Sequence, residues 1–259
     1  SARDFAPVDP ITIEDSIVVI KRLEEEGLAA IDISGGTALH SRFLIPPTYQ
    51  KRGTHVDSAD AIKKAGIKIP VIVSGGITTP DFAEELLSQG KTDFVGLGRP
   101  LLADQYWGKK IAAGVPEDVV PCLRCGKCLG NVEDVMAARG LSCSVNPRLG
   151  FEEIRNVAPL EKKMKVAVIG GGPGGMEAAR LATLRGHDVT LYERRELGGA
   201  MIEAGWDKEL KPDIQFLLEY YRTQVKKLKI KVVKEEASVD TIINGGYDMA
   251  IVATGSVGV

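Results

Sequence analysis

The 259-residue sequence lacks a charge excess of either sign, a long apolar run and dispersed cysteines. Its formal net charge of −2 provides no basic surface of the kind that binds nucleic acid or an anionic membrane. No apolar run approaches the ~20 residues that a membrane-spanning helix needs. With 44% hydrophobic and 26% charged residues, the composition is that of an ordinary globular chain and excludes a disordered or fibrous protein.

The cysteines are few, and all four lie within residues 121–143. A disulfide framework would instead distribute its cysteines along the chain as links between distant segments. The first ten residues, SARDFAPVDP, contain no positive region followed by an apolar one, so no signal peptide is expected. These two absences predict a reducing, cytoplasmic location. The chain length is expected to give one large domain or two of ordinary size.

Residues 1–115 alternate helix and strand patterns. ITIEDSIVVIKRLEEEG begins with Thr12 and Asp15 at capping-box spacing, and TPDFAEELLSQG begins with Thr79 as cap and Pro80 at the first helical position. AAIDISGG, IPVIVSGG and TDFVGLGRP predict three strands, each followed by glycines. Alternating strands and helices predict right-handed β-α-β units and a parallel sheet. Such sheets bind ligands at the carboxyl ends of their strands.

Residues 116–160 interrupt this pattern. They contain the cysteines and a turn-rich stretch, which we interpret as a loop-dominated insert and linker. The α/β pattern returns in residues 161–259, where MKVAVIGGGPGGMEAARLATLRGHDVTLY predicts a strand, a glycine turn, a helix and a second strand. Further along, a predicted helix places Leu217, Tyr221 and Val225 on one face, and YDMAIVATG predicts a last strand. The sequence therefore predicts three regions.

The best-defined motif is the glycine turn Gly170-x-Gly172-x-x-Gly175, which follows the apolar strand KVAVI and opens a helix. In dinucleotide-binding units the first glycine permits a sharp turn, the second lets the backbone approach a pyrophosphate, and the third lets the helix pack against the strand. Glu193 ends the next strand, where an acidic side chain binds ribose hydroxyls and favours FAD or NAD(H) over a 2′-phosphorylated nucleotide. The alternative is a purely structural tight turn.

The spacing Cys122-x2-Cys125-x2-Cys128, followed by Cys143, is typical of metal ligation. Three closely spaced thiolates can surround one corner of a compact cluster, with the fourth supplied by a later loop, and this spacing is characteristic of iron–sulfur proteins. Structural zinc sites pair their cysteines in two separated knuckles, unlike this one. The spacing favours a [4Fe–4S] cluster, with zinc and unliganded buried cysteines as the alternatives.

Two further glycine-containing turns predict a phosphate cradle. Gly75-Gly76 and Gly98-Arg99 each follow a predicted strand, so two adjacent loops would offer backbone N–H groups. Arg99 would add a charge-assisted hydrogen bond. Ordinary turn glycines are the alternative.

The three histidines have different sequence contexts. His40 lies in SGGTALHSR, just past the carboxyl end of a predicted strand, where a solvated polar residue is more common than a catalytic one. His55 and His187 have no comparable context, and we expect both at ordinary surface positions.

The order of these features resembles the multidomain branch of the old yellow enzyme family, which includes 2,4-dienoyl-CoA reductase, enoate reductases and the trimethylamine dehydrogenase group. IPVIVSGGI and DFVGLGRPLLAD resemble the last two strands of that family's FMN-binding (β/α)8 barrel. PCLRCGKC and LSCSVNPRLG resemble its [4Fe–4S] segment. KVAVIGGGPGGMEAARLATLRGHDVTLYERRELGG and YDMAIVATG resemble the first part of its Rossmann-like FAD-binding domain. The resemblance covers the whole chain.

The resemblance also implies ligands for each cofactor. Gly75, Gly76, Gly98 and Arg99 would hold the FMN phosphate, and the four cysteines would hold the cluster. The FAD ligands would be Gly170, Gly172, Gly174, Gly175, Glu193 and Arg194, with Gly198 and Gly199 near its pyrophosphate or ring side. His40, in GGTALH, is similar to the histidine of the dienoyl-CoA reductase motif GGT-x-x-H, and would orient the substrate or relay a proton.

The implied activity is the NAD(P)H-dependent reduction of the C=C bond of an α,β-unsaturated carbonyl or acyl compound. Electrons would pass from NAD(P)H through FAD, the cluster and FMN to the substrate. The alternatives are an amine dehydrogenase of the trimethylamine dehydrogenase type and a non-catalytic iron–sulfur flavoprotein that transfers electrons. The implied partners are a small unsaturated substrate and a nicotinamide, without nucleic acid or membrane, and a homo-oligomer is left open.

Two departures from the family pattern stand out. The 14 residues between Cys128 and Cys143 exceed the family's usual spacing. A (β/α)8 barrel has eight strands, whereas this sequence predicts three. We therefore expect the middle of a longer enzyme, whose catalytic tyrosine and NAD(P)H-binding part lie outside this chain. On its own the chain is expected to be inactive and poorly stable, because the edges of its half-barrel are exposed.

Overall fold

The computed structural model describes residues 1–130, 140–155 and 157–256. The chain forms two compact units, Ser1–Leu149 and Gly150–Val259, each with its own parallel β-sheet. In the described part of the chain, no helix combines the length and the apolar character that crossing a bilayer would require.

The first unit is built around a three-stranded sheet in the order β1-β2-β3. Its strands are β1 (Ile31–Ile33), β2 (Val71–Ser74) and β3 (Phe94–Gly96). Its α-helices, within the described ranges, are α1 (Ile13–Glu25), α2 (Ser41–Leu44), α3 (Val56–Lys64), α4 (Pro80–Ser88), α5 (Arg99–Ala103) and α6 (Trp107–Ala112). Both strand pairs are parallel, so all three carboxyl ends lie at one edge of the sheet. The predicted strand number and β-α-β alternation are confirmed.

Apolar side chains of the sheet and helices form the core of this unit. The most deeply buried are Ile33, Ala59, Ile62, Val71, Val73, Ile77 and Leu86. Helix α1 begins at the predicted capping box, in which Asp15 N donates to Thr12 Oγ1 at 3.2 Å and Thr12 N donates to Asp15 Oδ2 at 2.9 Å. Part of the apolar surface stays outside this core, including Val18 on α1 and Phe94 on β3, which are 70% and 58% exposed.

The second unit contains a four-stranded parallel sheet in the order β6-β5-β4-β7. Its strands are β4 (Lys165–Ile169), β5 (Asp188–Tyr192), β6 (Lys231–Val233) and β7 (Met249–Val252). Its α-helices, in the same described ranges, are α7 (Pro173–Leu184), α8 (Ala200–Ala204), α9 (Pro212–Lys227) and α10 (Val239–Asn244). Helix α9 buries Leu217, Tyr221 and Val225, which confirms the predicted face.

The cysteine segment contains little regular structure where it is described. Between residues 116 and 160 the described ranges include two short 3-10 turns, Pro116–Asp118 and Lys127–Leu129. Residues 131–139 and 156 of this predicted loop lie outside the described residues.

Candidate functional site

A cavity of about 300 Å³ lies in the first unit, where the loops after β2 and β3 meet. Its walls also include residues 44–46, and all four predicted cradle residues line it: Gly75, Gly76, Gly98 and Arg99. The parallel sheet places the carboxyl ends of β2 and β3 side by side, and this brings together Gly75-Gly76 and Gly98-Arg99, which are more than 20 residues apart in the sequence. We call this space the glycine cavity.

Gly75 and Gly76 have backbone conformations that few other residues adopt, with φ angles of 115° and 74°. A Cβ atom at Gly75 would lie 2.7 Å from Cδ2 of His55, and one at Gly76 would lie 3.4 Å from Nη1 of Arg124. Both the backbone angles and the neighbouring side chains therefore favour glycine here. The cavity wall at these two positions is left to the backbone, as an approaching phosphate would require.

His55 is buried, at 2% exposure, so the expectation of a surface position was wrong. Its Nε2 lies 3.0 Å from the Phe43 carbonyl oxygen, and burial lowers the pKa of the imidazole below its ordinary value. The ring fills the space between two glycines, since a Cβ at Gly35 or at Gly75 would lie 2.7 Å from it. The signal that could have identified it is the SGG repeated after β1 and β2, which leaves room for a ring between the two turns.

Arg99 is the first residue of α5 and has one unsatisfied donor. Its Nη2 donates to the Pro46 carbonyl oxygen at 2.8 Å, while its Nη1 is buried and has no hydrogen-bond partner among the described residues. Buried guanidinium donors are normally paired, and a phosphate oxygen is a preferred acceptor. The residues of the glycine cavity therefore fit an anionic phosphate group.

The four cysteines of the motif line a second, smaller cavity, which we call the cysteine cavity; Arg99 also lines it. Cys122 is buried, Cys125 is exposed, and the other two are half-buried. Burial raises the pKa of the Cys122 thiol to about 11, and it also raises the pKa of Cys128. The positive charge of Arg99 acts in the opposite direction on both thiols.

Two hydrogen-bonding groups contact the cysteine sulfurs. The backbone N–H of Arg124 donates to Cys122 Sγ at 3.4 Å, and Ser144 Oγ lies 3.3 Å from Cys125 Sγ. Donors of this kind stabilise the extra negative charge of a thiolate, whether it binds one metal ion or a cluster.

The four cysteines have the donor chemistry that a [4Fe–4S] cluster needs. Their side chains line one common cavity, and in such a cluster each thiolate binds its own iron. No three His, Cys, Asp or Glu side chains in the described ranges lie close enough together to hold one metal ion.

Arg124, which the sequence reasoning missed, connects the cysteine loop to the wall of the glycine cavity. It is 1% exposed and has a φ angle of 49°. Its Nη1 donates to the Gln50 carbonyl oxygen at 2.7 Å, and its Nη2 donates to that of Thr48 at 2.9 Å. Both residues lie within four positions of Pro46 in the chain, and the carbonyl oxygen of Pro46 accepts the hydrogen bond from Arg99. The signal that could have identified it is an arginine placed directly before the second cysteine of the motif.

We expect Arg124→Lys to destabilise the first unit by about 2–4 kcal/mol, because lysine keeps the charge but cannot donate to both carbonyls in a fork. The free energy of unfolding is measured by urea denaturation. Arg22→Lys is the matched control, since the Arg22 side chain is 71% exposed. Equal losses in the two variants would contradict an anchoring role for Arg124.

In the second unit, the three motif glycines have different roles. A Cβ at Gly170 would collide with the carbonyl oxygen of Ala253, and one at Gly175 would collide with the carbonyl oxygen of Gly170. At Gly172 the nearest atom to such a Cβ would be Cα of Gly199, 3.9 Å away. Packing thus requires the first and third glycines, whereas the second borders open space at the N-terminus of α7. This is the arrangement that close approach of a pyrophosphate requires.

Glu193, directly after β5, is held at this glycine turn. Its Oε2 accepts a hydrogen bond from Gly171 N at 2.7 Å, and its Oε1 accepts one from Arg195 N at 2.8 Å. Gly198 N donates to the Gly171 carbonyl oxygen at 2.8 Å, and a Cβ at Gly199 would lie 2.9 Å from Cα of Gly172. The structure therefore brings Glu193, Gly198 and Gly199 to the turn. Each carboxylate oxygen has a second lone pair for a ribose hydroxyl.

Three predicted residues lie apart from these contacts. Arg194 is exposed and pairs with Glu236 at 3.1 Å, and a Cβ at Gly174 would have no neighbour within 4 Å. His40 is half-buried, with its Nδ1 3.3 Å from Thr37 Oγ1. His40 is not among the described residues that line the glycine cavity.

Comparison with known proteins agrees with the two-unit organisation. Residues 7–118 match the NADH:flavin oxidoreductase / NADH oxidase family, and residues 164–258 match pyridine nucleotide-disulphide oxidoreductases. The chain belongs to the NADH:flavin oxidoreductase / NADH oxidase family. Its fold is thus α/β, with a part of the TIM-barrel type typical of this family followed by a pyridine nucleotide oxidoreductase part. The resemblance to the multidomain old yellow enzyme branch is confirmed.

Individual relatives of this family align over nearly the whole chain. The chain is 36% identical over 251 residues to an NADH oxidase from Thermoanaerobacter brockii, an alignment that covers 95% of this chain and 38% of the relative. It is 35% identical over 246 residues to a cinnamate reductase from Clostridium sporogenes, covering 94% and 36% of the two chains. The structure of 2-naphthoyl-CoA reductase in complex with 2-naphthoyl-CoA matches with a TM-score of 0.86 and 35% identity, covering 95% and 37%. The chain therefore spans a little over a third of the length of these relatives.

Proposed function

We propose that this chain forms part of an NAD(P)H-dependent flavin and iron–sulfur oxidoreductase that reduces the C=C bond of an α,β-unsaturated carbonyl or acyl compound. The observation that carries the proposal is that one residue, Arg99, lines both a cavity suited to a phosphate and a cavity surrounded by four cysteines. A flavin phosphate and an iron–sulfur cluster would then lie close enough to exchange electrons. When bound, the flavins would supply hydride chemistry and the cluster would supply one-electron transfer.

Related reductases support the direction of this reaction. Two of them are named for the reduction of cinnamate, an unsaturated carboxylate, and of 2-naphthoyl-CoA, an aromatic acyl thioester, and each is 35% identical to this chain. We extend that substrate class, and no particular compound, to this protein.

The residues described above would divide the binding among three sites. In the glycine cavity, Arg99 would pair with the FMN phosphate while Gly75, Gly76 and Gly98 let it approach the backbone. The cysteine cavity would hold a [4Fe–4S] cluster. At the glycine turn of the second unit, FAD would lie against the N-terminus of α7, with Glu193 binding its ribose. The FAD set is completed by Gly170, Gly172, Gly174, Gly175, Arg194, Gly198 and Gly199.

His40 is proposed to orient the substrate or to relay a proton. The contact between Thr37 Oγ1 and Nδ1 of His40 would hold the imidazole in one orientation, which a positioned acid or base requires. The observations that support this proposed role are the GGTALH motif and the contact with Thr37.

The activity is tested with the holoenzyme under anaerobic conditions. NADH or NADPH is supplied with cinnamate, 2-naphthoyl-CoA or related unsaturated compounds, and the reduced product is quantified. Sarcosine and dimethylamine are assayed separately with an artificial electron acceptor. Nicotinamide-dependent reduction of an unsaturated compound is expected. Oxidation of an amine without such reduction would instead support the amine dehydrogenase alternative, and neither reaction would favour an electron-transfer subunit.

We expect Glu193→Ala to lower FAD retention by at least tenfold while FMN content stays unchanged. The substitution removes the ribose acceptor and leaves Gly171 N–H without its charged partner, a loss of about 1.5–3 kcal/mol. Flavins released from the purified holoenzyme are separated and quantified. Glu196→Ala is the matched control, because Glu196 is nearby and exposed and pairs with Lys234. Equal loss of FMN and FAD in Glu193→Ala would contradict the assignment of the second unit to FAD.

A further inference from the structure

Arg99 is the charged residue common to the walls of both cavities in the first unit. Its two terminal guanidinium nitrogens have different environments: Nη2 is held by the Pro46 carbonyl, and Nη1 is buried without a hydrogen-bond partner among the described residues. The carbonyl fixes the position of the group, and the second nitrogen is left to pair with an anion. One fixed positive charge therefore faces two sites that are each suited to negative charge.

The other charges around the cysteine cavity do not replace that of Arg99. Among the described residues lining this cavity, the remaining cations are Arg124 and Lys127, and none is acidic. The guanidinium of Arg124 donates to the Thr48 and Gln50 carbonyls, and Lys127 is exposed, so water and salt screen its charge. Arg99 is the cation that lines both cavities, so a ligand of the glycine cavity would pair with it directly.

We propose that Arg99 couples the two sites electrostatically, so that a phosphate dianion bound in the glycine cavity makes a cluster in the cysteine cavity harder to reduce. This inference rests on the proposed function. Reduction adds one electron to the cluster and lowers its charge by one. With the glycine cavity empty of phosphate, the positive charge of Arg99 favours the reduced form. A bound phosphate neutralises that charge and removes the advantage.

The coupling is reciprocal by thermodynamic linkage. If phosphate binding lowers the midpoint potential of the cluster, reduction of the cluster weakens phosphate binding by the same factor. A tenfold coupling corresponds to ~59 mV for a one-electron couple. The flavin phosphate would thus act as more than an anchor, because it would set the redox balance between FMN and cluster.

The test compares the full protein reconstituted with FMN and with riboflavin, which has the same ring system but lacks the phosphate. The cluster is titrated anaerobically with dithionite, and its reduced form is followed by electron paramagnetic resonance. We expect the FMN form to have the lower midpoint potential, with a shift equivalent to a fivefold or larger coupling. Adding inorganic phosphate to the riboflavin form is expected to reproduce part of the shift.

Variants at Arg99 separate this inference from its alternatives. Arg99→Gln is expected to abolish most of the difference between the FMN and riboflavin forms, whereas Arg99→Lys, which keeps the charge, is expected to retain at least half of it. If Arg99→Gln binds no FMN, the riboflavin forms of the variant and of the unaltered protein are compared. The cluster of the variant is then expected to have the lower midpoint potential, because a positive charge is lost. A full shift in Arg99→Gln, or no shift in the unaltered protein with cluster and flavin both bound, would overturn the coupling. Absence of the cluster or of flavin binding would contradict the proposed function instead.

Discussion

Cys122→Ala is expected to lower the iron content from about four atoms per chain to less than one. Cys122 is the buried member of the motif, and its sulfur accepts the backbone N–H of Arg124. Alanine removes one of four thiolates and leaves a cluster corner open to water and oxidation. We expect the visible absorption of the cluster and its reduced paramagnetic signal to disappear with the iron.

The measurement is iron, sulfide and zinc analysis of anaerobically purified protein. Ser144→Ala is the matched control: its hydroxyl contacts Cys125 Sγ at 3.3 Å without being a thiolate, so full iron content is expected. The unaltered protein is expected to contain about four sulfides as well, with negligible zinc. Zinc without iron in the unaltered protein would contradict the cluster assignment. Full iron content in Cys122→Ala would exclude Cys122 as a ligand.

Gly175→Ala is expected to destabilise the second unit by about 3 kcal/mol or more and to abolish FAD binding. A Cβ at Gly175 would collide with the carbonyl oxygen of Gly170, at the point where α7 packs on the turn after β4. Backbone atoms cannot rotate away as a flexible side chain can, so the helix must shift. The shift would also displace the helix N-terminus from a bound pyrophosphate.

Gly174→Ala is the matched control within the same first turn. A Cβ at Gly174 would have no neighbour within 4 Å, and alanine is the better helix former, so the free energy of unfolding is expected to change by less than about 1 kcal/mol. Urea denaturation followed by circular dichroism, together with flavin analysis, measures both variants. Equal stability of Gly175→Ala and Gly174→Ala would contradict the close packing of helix and turn.

The sequence by itself determined the elements that depend on local patterns. The capping box at Thr12 and Asp15 fixes the start of α1 because the two residues bond to each other's backbone. The alternation of strands and helices predicted both parallel sheets, and the apolar face of α9 followed from its helical period. Each of these features depends on residues close together in the chain. The cysteine spacing and the glycine turn were recognisable for the same reason, although the individual cofactor ligands stay predictions.

Only the tertiary structure decided which distant residues share a site. The guanidinium of Arg124 donates to the carbonyl oxygens of Gln50 and Thr48, which lie 74 and 76 residues earlier in the chain. No local sequence spacing encodes such contacts. His55 seemed an ordinary surface residue because its burial depends on two glycine turns from different strands. Arg99 was predicted as a phosphate ligand from its own loop, but its place in the wall of the cysteine cavity depends on how a later loop folds back on α5. Local sequence determines backbone conformation over a few residues, whereas burial and shared electrostatics depend on chain segments that packing alone brings together.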